Sequence, residues 1–132
     1  MPNRVILVAD DEKDVREVLS VVLSTELGAR VLLAPDGQRL VDLVDHVRPA
    51  VVVTDVRMPK LDGLEAVRRL SADPRTAHVP VVVISAYCER HEALDAGAAA
   101  FVAKPFQLDD VVRLLGRLLR ESAGGTGLPA YA

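Results

Sequence analysis

Ala50-Val51-Val52-Val53-Thr54-Asp55 is an almost unbroken apolar run that ends on a carboxylate, entered from Pro49 and followed after a short loop by the amphipathic stretch Gly63–Ser71. A strand with one wet face alternates polar and apolar residues. A run that is apolar at both parities fits a strand covered on both faces, as in a parallel sheet flanked by helices. Outward from this run the same alternation recurs. Strands are predicted at Arg4–Ala9, Arg30–Ala34, Ala50–Asp55, Val79–Ser85 and Ala100–Ala103. Helices are predicted at Asp14–Thr25, Gly37–His46, Gly63–Ser71, Arg90–Ala96 and Leu108–Arg120. In the first helix Val15, Val18, Leu19, Val22 and Leu23 recur at intervals of three and four, and Asp14 with Glu17 has the spacing of a capping box. The last helix carries a stripe at Leu108, Val111, Val112, Leu115, Leu118 and Leu119. Gly28 and Gly97 follow helix ends, while Pro49 and Pro80 precede or open strands. Five β-α units in tandem require a parallel sheet with right-handed crossovers, so the expected fold is a doubly wound α/β sandwich.

Composition narrows the function. The 132 residues suit one domain. Half of them are apolar and 27% charged, which excludes disorder and a coiled coil. Valine occurs 22 times against four aromatics, Tyr87, Phe101, Phe106 and Tyr131, so branched aliphatics build the core. A formal charge of −3 leaves no basic footprint for direct nucleic-acid binding. Cys88 stands alone, which forbids an intrachain disulfide and fits a reducing cytoplasm. The apolar run Val5–Ala9 is too short for a signal peptide or a membrane span. Residues 122–132, rich in glycine and without periodicity, read as a flexible tail after a domain spanning 1–121.

In open α/β sheets ligands bind beyond the carboxyl ends of the strands. Four of the five predicted strands end on polar residues: Asp10-Asp11, Asp55, Ser85 and Lys104. Singly, an Asp after a strand is most often a turn former or a helix cap. Together these residues bring three carboxylates, a hydroxyl and an ammonium to one edge. Crowded carboxylates disfavour one another's ionisation unless a cation joins them. Oxygen-only ligands without His or Cys select Mg²⁺ or Mn²⁺ over zinc. A carboxylate beside such a metal is a nucleophile suited to phosphorus, with a Lys and a hydroxyl to stabilise the transferring group.

The motifs Val-Ala-Asp10-Asp11-Glu12, Val-Thr-Asp55-Val-Arg-Met-Pro59 with Asp62-Gly63, Val-Ile-Ser85-Ala86, Ala96-Gly97-Ala98 and Phe101-Val-Ala-Lys104-Pro105-Phe106 resemble those of receiver domains of two-component response regulators. The resemblance covers about Arg4 to Arg120 and implies a flavodoxin-like (βα)5 sheet of strand order 2-1-3-4-5. It implies that Asp55 is the phosphoacceptor for a sensor histidine kinase or histidine phosphotransfer protein. Asp10, Asp11, Asp55 and the backbone carbonyl of Arg57 would hold Mg²⁺. Lys104 and Ser85 would contact the phosphoryl oxygens, Ser85 and Phe101 would switch conformation, and the bond before Pro105 would be cis. Arg57 and Tyr87 would flank the path of hydrolytic water. The implied output is a downstream protein target, with no membrane partner. The chain departs from that pattern between Ser85 and Ala96-Gly97, where it is shorter by about one helical turn, so a short fourth helix is expected, with Ala93, Leu94 and Ala96 still able to meet the sheet.

Other classes fit less well. A phosphatase of the haloacid-dehalogenase type needs a second Asp at position 57, which is Arg57. Flavin binding needs a phosphate loop where Asp10-Asp11-Glu12 would repel one. A degenerate receiver acting only as a phosphorylation-independent docking module stays open as the alternative, although every expected site residue is present. His46, His78 and His91 have no ligand spacing and read as surface residues, Cys88 as a semi-buried apolar residue, and Arg113, Arg117 and Arg120 as a solvated face.

Overall fold

The computed structural model describes residues 4–124. Five strands, β1 (Val5–Ala9), β2 (Arg30–Ala34), β3 (Val51–Thr54), β4 (Val81–Ser85) and β5 (Ala100–Ala103), alternate with five helices. These are α1 (Lys13–Leu27), α2 (Gly37–Val47), α3 (Gly63–Ala72), α4 (Arg90–Ala96) and α5 (Leu108–Gly124). All neighbouring strands pair in parallel, in the order β2-β1-β3-β4-β5. This is the doubly wound flavodoxin-like architecture that the sequence predicts.

The period-two alternation of side chains divides the core into two layers. Leu7, Ala9, Val52 and Val83 point to one face and pack with Leu40 and Val44 of α2, Val67 and Leu70 of α3, and Ala93 and Ala96 of α4. Ile6, Val8, Val51, Val53, Val82 and Ile84 point to the other and meet Leu19 and Leu23 of α1 with Val111, Leu115 and Leu119 of α5. Every residue of β3 is buried. This explains why its sequence shows no alternation. Each buried valine contributes on the order of 1.5–3 kcal/mol of transfer free energy.

Several boundaries differ from the sequence reading. α1 begins at Lys13, with Glu12 as its N-cap, so the Asp14–Glu17 capping box does not form. The Asp10 carboxylate accepts the Glu12 N–H at 2.9 Å, and the Glu12 carbonyl accepts the Arg16 N–H at 3.1 Å, which fixes the start one residue early. A capping box forms instead at α4, where the Glu89 N–H donates to Glu92 at 2.8 Å. β4 starts at Val81 because Pro80 has no N–H, although its carbonyl accepts from Val52 at 3.0 Å. Val79 lies in the preceding turn, bonded to Thr76. α4 has 7 residues, the short helix expected, but Leu94 is 44% exposed and leaves Ala93 and Ala96 to meet the core. α5 continues through Gly124, past the predicted end at Arg120. Residues 125–132 of the predicted tail lie outside the described residues.

Candidate functional site

Because all five strands are parallel, their carboxyl ends share one edge, and the chain leaves β1 and β3 in opposite directions along the sheet. That divergence opens a crevice between their ends. The register pairs Ala9 with Thr54, so the next residues, Asp10 and Asp55, emerge side by side, and the Asp55 N–H donates to the Ala9 carbonyl at 3.0 Å. Lys104 follows β5, two strands from β3, a lateral separation of about 10 Å. Only a long side chain spans that gap. The Lys104 ammonium reaches Asp55 Oδ2 at 2.8 Å, Asp10 Oδ2 at 3.2 Å and Glu12 Oε1 at 3.7 Å.

Asp10 and Asp55 are 3% and 5% exposed, so their charges need partners. Asp55 Oδ1 accepts the Val56 N–H at 2.6 Å. The Thr54 hydroxyl donates to the Asp55 carbonyl at 2.9 Å and steadies the strand end. Burial pushes the Asp10 carboxyl above its ordinary pKa, opposed by the Glu12 N–H and by the Lys104 charge, while the neighbouring Asp55 adds to the rise. For Lys104, burial alone would lower the pKa. The hydrogen bond to Asp55 and the Asp10 charge outweigh it, and the ammonium titrates above its usual range.

Asp11 is exposed, yet one carboxylate oxygen each from Asp10, Asp11 and Asp55 lies within 4.8 Å of the others. Three carboxylates so close, with no sulfur or imidazole among them, match the donor set of a hard divalent ion. The residues fit Mg²⁺.

A cleft of about 340 Å³ opens over these groups, lined by Asp11, Glu12, Asp55, Arg57, Ala86, Tyr87 and Lys104. At its mouth the Arg57 guanidinium lies over the Tyr87 ring, 4.2 Å from the centroid. Ser85, 1% exposed, ends β4, and its hydroxyl oxygen accepts the Tyr87 N–H at 2.9 Å. Phe101 is 9% exposed in β5, with the Arg90 guanidinium 5.7 Å from its ring. The Lys104–Pro105 peptide is cis.

Thus Asp10, Asp11, Asp55 and Lys104 converge directly, Arg57 and Tyr87 close the rim, and Ser85 ends the strand between those that carry Asp55 and Lys104. His46, His78 and His91 are exposed and are not among the lining residues. Burial raises the Cys88 thiol's pKa, with help from Glu92 and Asp55, which disfavours the thiolate.

Three features escaped the sequence reading: the stacking of Arg57 on Tyr87, the Glu12 carboxylate beside Lys104, and the Arg16 guanidinium, which donates to the Asp10 carbonyl at 2.7 Å. The last had a signal, a cation one turn into the helix that follows an acidic pair.

A parallel sheet that gathers carboxylates and a lysine at its switch point defines a class of acid-lined α/β modules. Within that class, residues 6–116 match the response regulator receiver domain, and the chain belongs to this family of two-component signalling modules. It is 42% identical over 130 residues to the response regulator MprA of Mycobacterium sp. strain KMS, covering 96% of this chain and 55% of that protein. The chain therefore spans about half the length of the curated relatives it matches. Among solved structures it resembles the receiver domain of Francisella response regulator 1452, at 28% identity and TM-score 0.83, covering 91% of this chain and 99% of that one. It also resembles the receiver domain of sensor histidine kinase PA1611 from Pseudomonas aeruginosa PAO1, at 29% identity and TM-score 0.81, covering 89% and 98%. That neighbour carries a magnesium ion coordinated in its active-site cleft. Among the described residues no helix is long and apolar enough to cross a membrane.

Proposed function

We propose that this chain is a phosphorylation switch in which Asp55 accepts a phosphoryl group from a phosphohistidine of a sensor histidine kinase or a histidine phosphotransfer protein. The observation that carries the reading is the Asp55 carboxylate, held at the switch point by Lys104 at 2.8 Å and flanked by Asp10 and Asp11. A carboxylate oxygen of Asp55 attacks phosphorus in line, the P–N bond breaks, and its electron pair returns to the imidazole. An acyl phosphate on Asp55 results. Lys104 passes from the Asp55 carboxylate to a phosphoryl oxygen. Ser85 uses an oxygen lone pair on the Tyr87 N–H, so its hydroxyl proton is free to donate to another phosphoryl oxygen. Backbone N–H groups after Asp55 and Ser85 complete the cradle. Mg²⁺ or Mn²⁺, held by Asp10, Asp11, Asp55 and the Arg57 carbonyl, would neutralise charge on the transferring group when bound.

The switch runs through Ser85 and Phe101 to a downstream protein, in the cytoplasm, without direct contact to nucleic acid or membrane. Beyond its own phosphorylation and dephosphorylation the domain turns over no substrate. Incubation with a small phosphodonor and Mg²⁺, followed by intact-mass analysis, should add one hydroxylamine-sensitive phosphoryl group that Asp55→Asn abolishes. A label retained in that variant, or mapped to Ser85 or His91, would overturn the assignment.

A further inference from the structure

We infer that Arg16 is a positioning residue for the divalent-cation site, acting through the peptide that joins Asp10 to Asp11. Its NH1 donates to the Asp10 carbonyl at 2.7 Å, a short, charge-assisted bond from a half-buried side chain. That carbonyl belongs to the Asp10–Asp11 peptide, whose orientation sets where Asp11 points. Asp10 has its own anchors: its N–H donates to the Ala34 carbonyl at 3.2 Å, and its Oδ1 accepts the Glu12 N–H at 2.9 Å. Asp11 is exposed, and its carboxylate makes no hydrogen bond or ion pair among the described residues. It nevertheless stays within 4.8 Å of two like charges that push it outward. The backbone must hold it there, and Arg16 grips the peptide that decides its direction.

The placement of Arg16 is difficult to explain as helix stabilisation. It is the fourth residue of α1, and the amino-terminal end of a helix carries partial positive charge that favours anions such as Asp14. A cation there opposes the macrodipole unless it serves the loop in front of it. Outer partners that orient metal ligands typically account for about 10–100-fold in metal affinity.

The sign of the effect separates positioning from charge. Removing a cation near a Mg²⁺ site should tighten Mg²⁺ binding by Coulomb's law alone, whereas releasing the Asp10–Asp11 peptide should weaken it. The inference rests on the proposed divalent site, so the wild-type chain is titrated with Mg²⁺ first, by amide chemical shifts. Arg16→Ala and Arg16→Gln follow, the second being a good helix former that keeps the fold if the first does not. Expected are dissociation constants about tenfold higher in both variants, metal-free melting within a few degrees of wild type, and shift changes confined to Asp10, Asp11 and Glu12. Unchanged or tighter Mg²⁺ binding would overturn the role of Arg16 alone, as would weaker binding accompanied by shift changes throughout the spectrum. A wild-type chain that does not bind Mg²⁺ would overturn the divalent site and the role of Arg16 with it.

Discussion

Replacing Gly63 with alanine tests how tightly the end of the strand that leads into Asp55 is braced by α3. Gly63 opens α3, its N–H donates to the Val56 carbonyl at 2.7 Å, and a Cβ there would lie 1.8 Å from the Asp55 carbonyl oxygen and 2.8 Å from its carbon. Ordinary contact begins near 3.4 Å, so backbone must move by about 1.6 Å, and no flexible side chain can give way instead. Overpacking of this kind costs about 1–3 kcal/mol, with backbone against backbone at the upper end. Alanine recovers at most about 1 kcal/mol through helix propensity. The net is about 2 kcal/mol of destabilisation. At roughly 2.1 cal/mol/K per residue of unfolding entropy, that lowers Tm by about 8 °C. The displaced strand end also pulls Asp55 from Lys104, so phosphorylation by a small donor should slow as well. Gly116→Ala is the matched control: its Cβ would meet the side-chain ends of Leu27 at 3.3 Å and Arg120 at 3.6 Å, and should be neutral or stabilising. Melting by circular dichroism and intact-mass phosphorylation kinetics read both effects. A Gly63→Ala chain as stable as wild type, or less perturbed than Gly116→Ala, would refute the argument.

Asp11→Ala should weaken Mg²⁺ binding by about tenfold or more without lowering the metal-free melting temperature, because it removes one member of a like-charge cluster; a metal-free melt well below wild type refutes this. Tyr87→Ala and Arg57→Asn should each speed loss of the phosphoryl group by about three- to tenfold, since the stacked pair narrows the in-line approach of water, and the double variant should add little to either single one. Unchanged rates in phosphate-release measurements would remove that account. Hydrogen bonds from Arg75, first from its side chain and then from its backbone, hold Asp73 below the ordinary carboxylate pKa. Its stabilisation is therefore present above the unfolded-state pKa and disappears as pH falls through the lowered folded value. In an NMR titration the Asp73 midpoint should rise in Arg75→Gln; an unchanged midpoint contradicts the pairing.

The order of elements was legible because burial on both faces removes alternation from β3 and β4, whereas helices one turn away keep a 3.6-residue stripe. The site's carboxylates and lysine were legible for a related reason: a parallel sheet converts the rule "polar residue after an apolar run" into spatial proximity. Helix ends were not legible, because they depend on which local acceptor captures a free N–H. Asp14 and Glu17 had the right spacing, but Asp10 had already taken the Glu12 N–H. Contacts between side chains on different loops were equally hidden. Arg57 and Tyr87 were each placed beside the path of hydrolytic water, yet their stacking depends on how the loops after β3 and β4 fold over the edge. α4 was foreseen as short, and its 7 residues agree. What the sequence did not show is how its ends are tied, by the Glu89–Glu92 box and by the Gly97 N–H on the Ala93 and Leu94 carbonyls.

On the proposed reading of Asp55 as a phosphoacceptor, the charge in the cleft favours a divalent partner for phosphoryl transfer. The charges gathered around Asp10 and Asp55 are four carboxylates, Asp10, Asp11, Glu12 and Asp55, against two cations, Lys104 and Arg16, a nominal balance of −2. Converting the Asp55 carboxylate to an acyl phosphate dianion adds one further negative charge. Without a metal the cluster would go from −2 to −3 in a site where two of the carboxylates are almost fully buried. With one divalent cation it goes from 0 to −1. Charges about 4 Å apart at an effective dielectric near 20 interact by about 4 kcal/mol per pair, so the difference between those two paths is about 8 kcal/mol, comparable with the marginal stability of a domain. The same balance gives Lys104 two tasks in the proposed reaction. It neutralises Asp10 and Asp55 in the resting protein and would then move, without leaving the cleft, to the oxygens that Asp55 would acquire. The long, flexible ammonium side chain at the end of β5 meets both demands.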